Sequence, residues 1–153
     1  MHKLNLPDYH FRVRELEQRT QIFDSVRRKF VALTPEEWVR QNFIRYLIEE
    51  KKIPVSRIAV EMEISLNRMS KRCDVVIFDK QPKPLLIVEC KAPSIKIDQE
   101  VFDQAARYNL SLNVKFLAIT NGLNHYFCLM NYKEKKFDFL NELPVYDLLL
   151  SEV

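Results

Sequence analysis

Apolar residues recur at helical spacing in two stretches of the chain and alternate or cluster in several others, and this contrast predicts most of its elements. Val39, Phe43, Tyr46 and Leu47 fall on one face of a helix running from residue 35 to about residue 50. Thr34 suits the N-cap and Pro35 the first helical position, Glu37 completes a capping box with Thr34, and Pro54 closes the segment. Residues 58 to 64 alternate apolar and polar side chains, residues 72 to 78 are rich in β-branched ones, and residues 84 to 90 form an apolar run. Three consecutive strands are the simplest reading. Asp98 is placed to cap a second helix as far as Leu112, with Val101, Ala105, Tyr108 and Leu112 on one face. Residues 115 to 120 and 123 to 130 read as strands joined by Asn121-Gly122, a two-residue hairpin signal, and residues 146 to 150 as a last helix. The first 33 residues carry no clear pattern.

The order helix, three strands, helix, strand pair predicts an α/β fold. A mixed sheet is flanked by helices, and the second helix is a right-handed crossover to the strand at 115. With 47% hydrophobic residues in 153 positions, one core burying roughly 70% of the unfolded surface is expected. That makes a single domain, with its core over about residues 33 to 131 and an extension at each end. No apolar run approaches the roughly 20 residues of a membrane span. Asp8, Arg12, Arg14 and Glu15 break up the N-terminal stretch where a secretory signal would need an apolar block. A soluble cytoplasmic protein with no membrane partner is expected. Cys73, Cys90 and Cys128 have no zinc-type spacing and are expected reduced and buried.

Gly122 is the chain's single glycine, which excludes a Walker A loop and a dinucleotide fingerprint, since both need several glycines where backbone approaches phosphate. Any motor function must come from another chain. The net charge of +3 permits a polyanionic partner without requiring one.

Candidate chemistry lies at the ends of two predicted strands. Residues two apart share a face of a strand, so Glu89 and Lys91 project together while Cys90 points the other way. Asp74 sits where Lys71-Arg72 gives way to Val75-Val76-Ile77, and a hairpin through residues 80 to 83 lays the two strands side by side. Paired carboxylates repel each other, and a hard divalent cation relieves this; Mg²⁺ typically uses one or two carboxylates with waters and a substrate phosphate. Lys91 would then orient or deprotonate the attacking water, or stabilise charge on the phosphate. Taken alone, Glu-x-Lys at a strand end is also a common solvated ion pair. Glu36 shares a stripe with Val39, Phe43 and Leu47 and so points along the face that packs on the sheet, although a first-turn acid equally suits the helix dipole. Gln104 and Tyr108 lie one turn apart beside Val101 and Ala105, where packing of Tyr108 with Gln104 exposed is the plainer explanation.

Together these residues resemble the PD-(D/E)XK nuclease superfamily, and more narrowly the N-terminal nuclease domain of the type I restriction enzyme R subunit. The segments that carry the resemblance are LTPEEWVRQ (33 to 41), KRCDVVIFD (71 to 79), LLIVECKAP (85 to 93), FDQAARYN (102 to 109) and AITNG (118 to 122). It implies a restriction-endonuclease-like αβββαβ core, a metal-dependent phosphodiesterase and DNA as substrate. The family's catalytic aspartate, glutamate and lysine fall on Asp74, Glu89 and Lys91. Its helix glutamate falls on Glu36, with Glu37 as the alternative, and its QxxxY element on Gln104 and Tyr108. Asp74, Glu89 and the backbone carbonyl of Cys90 are the implied ligands of Mg²⁺, with Mn²⁺ as substitute, and Glu61 or Glu63 could also approach the metal. The restriction subunit continues into an ATP-driven translocase that these residues lack. The expectation is therefore a stand-alone Mg²⁺-dependent deoxyribonuclease, with a protein partner to supply any motor or specificity. A non-cleaving module that binds nucleic acid or a partner and retains the fold is the alternative.

Overall fold

The computed structural model describes residues 1–151. Where no pattern is visible in the sequence, an antiparallel meander forms from β1 (Val13–Leu16), β2 (Arg19–Asp24) and β3 (Lys29–Ala32). Its strands are short, β1 is exposed throughout, and the first turn places Glu17 and Gln18 at φ 50° and 64°. Neither residue is one that advertises a positive φ, so the hairpin leaves no Asn-Gly signal. Buried Asp24 closes the β2–β3 turn, accepting from the amides of Val26 and Arg27 at 2.8 and 3.0 Å and from Arg27 Nε at 2.5 Å. Burial opposes its charge, but these donors outweigh that and hold the carboxyl below the usual aspartate range.

Helix α1 (Pro35–Glu49) starts as expected, with the Thr34 hydroxyl accepting from the Glu37 amide at 3.0 Å. The capping box is only half made. The Glu37 carboxylate turns instead to Arg27 Nη2 at 2.9 Å and Gln41 at 3.0 Å, because a guanidinium offers a stronger, charge-assisted bond. Val39, Phe43 and Leu47 are fully buried, each contributing about 1.5–3 kcal/mol, and Tyr46 is half-buried at the margin.

A six-stranded sheet follows in the order β4 (Ile58–Leu66), β5 (Met69–Phe78), β6 (Pro84–Cys90), β7 (Phe116–Thr120), β8 (His125–Asn131) and β9 (Lys136–Leu140). All neighbours are antiparallel except β6 and β7, which α2 (Gln99–Leu112) connects, so the sheet is mixed as predicted. The first two strands run longer than expected because Asn67 and Arg68, at φ 50° and 68°, form a tight turn. Asp98 caps α2, accepting from the Val101 amide at 2.9 Å. The buried face of α2 is Phe102, Ala105, Ala106, Asn109 and Leu112, so it is rotated from the predicted stripe, leaving Val101 and Tyr108 half-buried at its edge. Leu86 and Val88 pack with α1, while Ile87 packs beneath α2 with Leu112. Consecutive residues of a strand face opposite ways, so the helices cover opposite faces of the sheet. Strand β9 was not anticipated: Phe137 and Phe139 alternate with Lys136 and Asp138 over only five residues. Helix α3 (Tyr146–Ser151) buries Leu149, and the Tyr146 hydroxyl donates to the Phe78 carbonyl at 2.8 Å. Among the described residues no helix is long and apolar enough to cross a membrane.

The hairpin between β7 and β8 is not the two-residue turn expected. Thr120 pairs with His125, leaving residues 121 to 124 as the loop, and Asn121 Oδ1 accepts from the amides of Leu123 and Asn124 at 3.0 and 2.8 Å. Gly122 lies at φ 86°, and a Cβ there would meet Leu4 Cδ2 at 2.6 Å and Val39 Cγ2 at 3.1 Å. Gly122→Ala is therefore expected to cost at least about 1 kcal/mol, read as a lower thermal midpoint; an unchanged midpoint would mean that the loop relaxes freely.

Candidate active site

Strands β5 and β6 pair Val75 with Val88 and Val76 with Ile87, and the same register continued sets Asp74 opposite Glu89. The paired ladder ends at Val75 and Val88, and beyond it Asp74 Oδ2 accepts from the Cys90 amide at 2.8 Å. Cys73 and Val76 both pack beneath α2, although residues three apart on a regular strand face opposite ways. The strand thus changes phase around Asp74. In neighbouring β4 the ladder joins Val60 to Val75 and Met62 to Cys73, and Glu61 between them has φ 52°, a conformation costing of order 1–3 kcal/mol for a non-glycine residue. This irregularity lets Lys71, three residues before Asp74, share the sheet face to which the register already assigns Asp74 and Glu89.

A cavity of about 500 Å³ opens on that face, and Glu36, Asp74, Glu89, Cys90, Lys91, Gln104 and Tyr108 all line it. The structure therefore brings these seven residues around one cavity. Lys91 lies one residue beyond β6, its amide donating to the Thr120 carbonyl at 2.8 Å, so β7 fixes where its side chain begins. Gln104 is exposed and borders the cavity from α2.

The acidic alternatives separate clearly. Glu37 is buried among Arg27, Arg40 and Gln41 and does not line the cavity. Glu36 does, but contrary to the face argument it is not packed on the sheet: its side chain is 49% exposed at the cavity mouth. Glu61 is drawn to Arg27, Arg40 and Arg72 at 3.3–3.4 Å, and Glu63 accepts from the Ser70 hydroxyl. Burial disfavours the Glu61 charge, but Arg40, Arg27 and Arg72 outweigh it and hold the carboxyl below the usual range. Neither Glu61 nor Glu63 lines the cavity.

Burial pushes the Cys90 thiol pKa well up and the Cys73 thiol to about 11, so both are neutral at physiological pH. All three cysteines are free and buried, as expected.

The profile of the family described as the type I restriction enzyme R protein N terminus (HSDR_N) matches residues 35–144. The chain belongs to that family. A fragment of an HsdR subunit of a type I restriction enzyme from Vibrio vulnificus YJ016 shares the fold of this HSDR_N chain, with a TM-score of 0.55 and 20% identity over 78% of the chain. The match spans 25% of that fragment's chain. No curated protein gives a significant match. Membership of the HSDR_N family puts the chain in a restriction-enzyme, nuclease-related setting.

Two cations in this HSDR_N chain escaped the sequence reading. Arg40 is buried and reaches Glu37 at 3.3 Å, Glu61 at 3.4 Å, Glu36 at 3.8 Å and Asp74 at 3.9 Å; its Nε and Nη1 make ion-pair contacts but no hydrogen bond. Lys71 pairs directly with Glu89, and its ammonium lies 4.7 Å from the centre of the Tyr108 ring. Burial lowers the Lys71 pKa, with Asp74 opposing and Lys91 reinforcing the shift. The only sequence signal for Lys71 was its position three residues before Asp74.

Proposed function

We propose that this HSDR_N chain is a Mg²⁺-dependent endonuclease of the PD-(D/E)XK type that hydrolyses phosphodiester bonds of DNA. The convergence of Asp74, Glu89 and Lys91 on one cavity with Glu36, Gln104 and Tyr108 carries the reading. The carboxylates of Asp74 and Glu89 line one cavity, a donor set that suits a hard cation keeping much of its water. Asp74 and Glu89 would hold the ion, with the Cys90 carbonyl as a third oxygen and Mn²⁺ as a substitute. Once bound, it would supply charge neutralisation at the scissile phosphate and a more acidic water.

The chain's own residues do the rest. The Cys90 amide fixes one Asp74 oxygen, so the carboxylate enters the site already oriented. Lys91 orients the attacking water or stabilises charge on the phosphate. Gln104 and Tyr108 offer an amide and a hydroxyl to water or the DNA backbone, and Glu36 stands at the mouth as a further acceptor. The same reading makes DNA the partner, in the cytoplasm.

Incubation with plasmid and single-stranded DNA in Mg²⁺ or Mn²⁺, beside a calorimetric metal titration, tests the reading; nicking that depends on the metal is expected. Intact DNA after prolonged incubation, retained with a steep salt dependence, would identify a binding module instead. Gln104→Ala is expected to lower cleavage while changing stability by no more than about 0.5 kcal/mol, as for an exposed residue. Tyr108→Phe keeps the ring beneath the Lys71 ammonium and removes one hydroxyl. Unchanged cleavage in both variants would take α2 out of the site.

A further inference from the structure

Among the described residues Lys71 makes the closest ion pair with a carboxylate assigned to the metal, on Glu89, while Arg40 stands 3.9 Å from Asp74. Lys71 lines the cavity beside Asp74, Glu89 and Lys91, and its ammonium rests over the Tyr108 ring. We propose that Lys71 is a further substrate-binding residue: in the free protein its ammonium is the counter-ion of Glu89, and when a divalent cation takes Glu89 the ammonium passes to a phosphate oxygen of the DNA. The proposal rests on the nuclease reading.

Three observations carry it. First, the carboxylates of Asp74 and Glu89 face one small volume, and their mutual repulsion in the free protein must be relieved by some positive charge. Lys71 meets Glu89 directly, whereas Asp74 has the Cys90 amide and the more distant Arg40. Second, a divalent cation and an ammonium cannot share the same contact with one carboxylate, since their repulsion at that separation is strong in a half-buried site. The divalent ion wins because it carries twice the charge, and the lysine's flexible stem lets its head move while the base stays in β5. Third, the displaced ammonium remains against the Tyr108 ring, a face that attracts a cation without holding it as a carboxylate would. Of the other side chains that line the cavity with it, Ser70, Gln104 and Tyr108 are neutral and the remaining carboxylate, Glu36, has Arg40 at 3.8 Å, so an incoming phosphate is the natural new anion. Lys71 thus balances the site before substrate arrives and contributes a phosphate contact afterwards.

The experiment compares the full chain with Lys71→Met, which keeps the stem, and with Lys71→Gln as a second neutral variant should the first fold poorly. Calorimetric titration with MnCl₂ is expected to show tighter uptake by the neutral variants, because the competing ammonium is gone. Binding of a short duplex in Ca²⁺, with the DNA checked for intactness, is expected to weaken, and the slope of log affinity against log salt to shrink by about one. Lys71→Arg, which retains the charge, should restore the slope. Neutral variants that take up Mn²⁺ no more tightly than a parent that binds and cleaves would overturn the Lys71 proposal and leave the nuclease standing. So would an unchanged duplex affinity and slope. A parent and variants that all bind no Mn²⁺, with no cleavage, would sink both.

Discussion

Asp74→Ala is expected to abolish Mn²⁺ uptake by the free protein and with it all metal-dependent cleavage. The expectation is severe because the site offers few oxygens: with Glu89 held by Lys71, Asp74 is the carboxylate most ready to receive a cation. The Asp74 side chain is 28% exposed, accepts the Cys90 amide at 2.8 Å and stands 3.9 Å from Arg40. Truncation to alanine therefore also leaves a part-buried amide unpaired, a loss of about 1–3 kcal/mol in stability. Asp74→Asn separates the two effects, since its side-chain carbonyl still accepts from Cys90 while the negative charge is gone. Asparagine should melt close to the parent yet bind no metal. An asparagine variant that titrates with Mn²⁺ like the parent would remove Asp74 from the ligand set.

How legible this site was depended on the range over which its parts act. Caps and periodicity are local, so Thr34, Asp98 and the alternation of the strands placed α1, α2 and β4 to β8 to within a few residues. The meander was missed because its turns use Glu17-Gln18 and Arg28 at positive φ and because β1 buries nothing. The same locality explains the helix acids. Glu36 and Glu37 are adjacent, and the sequence cannot reveal that Arg27, arriving from the β2–β3 turn, claims Glu37 and leaves Glu36 at the cavity mouth. The phase change at Asp74 was invisible for a related reason: it shows only when strand register and packing are known, with Glu61 at φ 52° in the next strand. Arg40 and Lys71 look like ordinary surface cations in a chain that is 29% charged. Only their burial and their carboxylate partners set them apart.

Lys91→Ala is expected to keep metal binding and lose roughly two to four orders of magnitude in cleavage rate, the range for a positioned general acid–base or electrostatic group. The structure favours a clean separation of the two properties. The Lys91 backbone is anchored by its amide to the Thr120 carbonyl at 2.8 Å, and that bond survives any side-chain truncation, so the Cys90 carbonyl and the end of β6 keep their places. Among the described residues no carboxylate forms an ion pair with Lys91, whereas Lys71 is engaged by Glu89. Removing the Lys91 ammonium thus strips no partner from Asp74 or Glu89, and the ligand oxygens remain as they are. If Lys91 acts on the water or the scissile phosphate, single-turnover cleavage should fall while calorimetric uptake of Mn²⁺ and duplex affinity stay near the parent's. Were Lys91 instead a solvated charge on the rim, the alanine variant would cut as fast as the parent. A third pattern is informative as well: a variant that loses duplex affinity in step with cleavage would make Lys91 a phosphate anchor with no part in the chemical step. Because Lys71 and Lys91 line the same cavity, the double variant tells the two ammonium groups apart. If Lys71 works on binding and Lys91 on chemistry, their effects fall on different constants, and the double variant combines the weakened duplex affinity of one with the slow cleavage of the other.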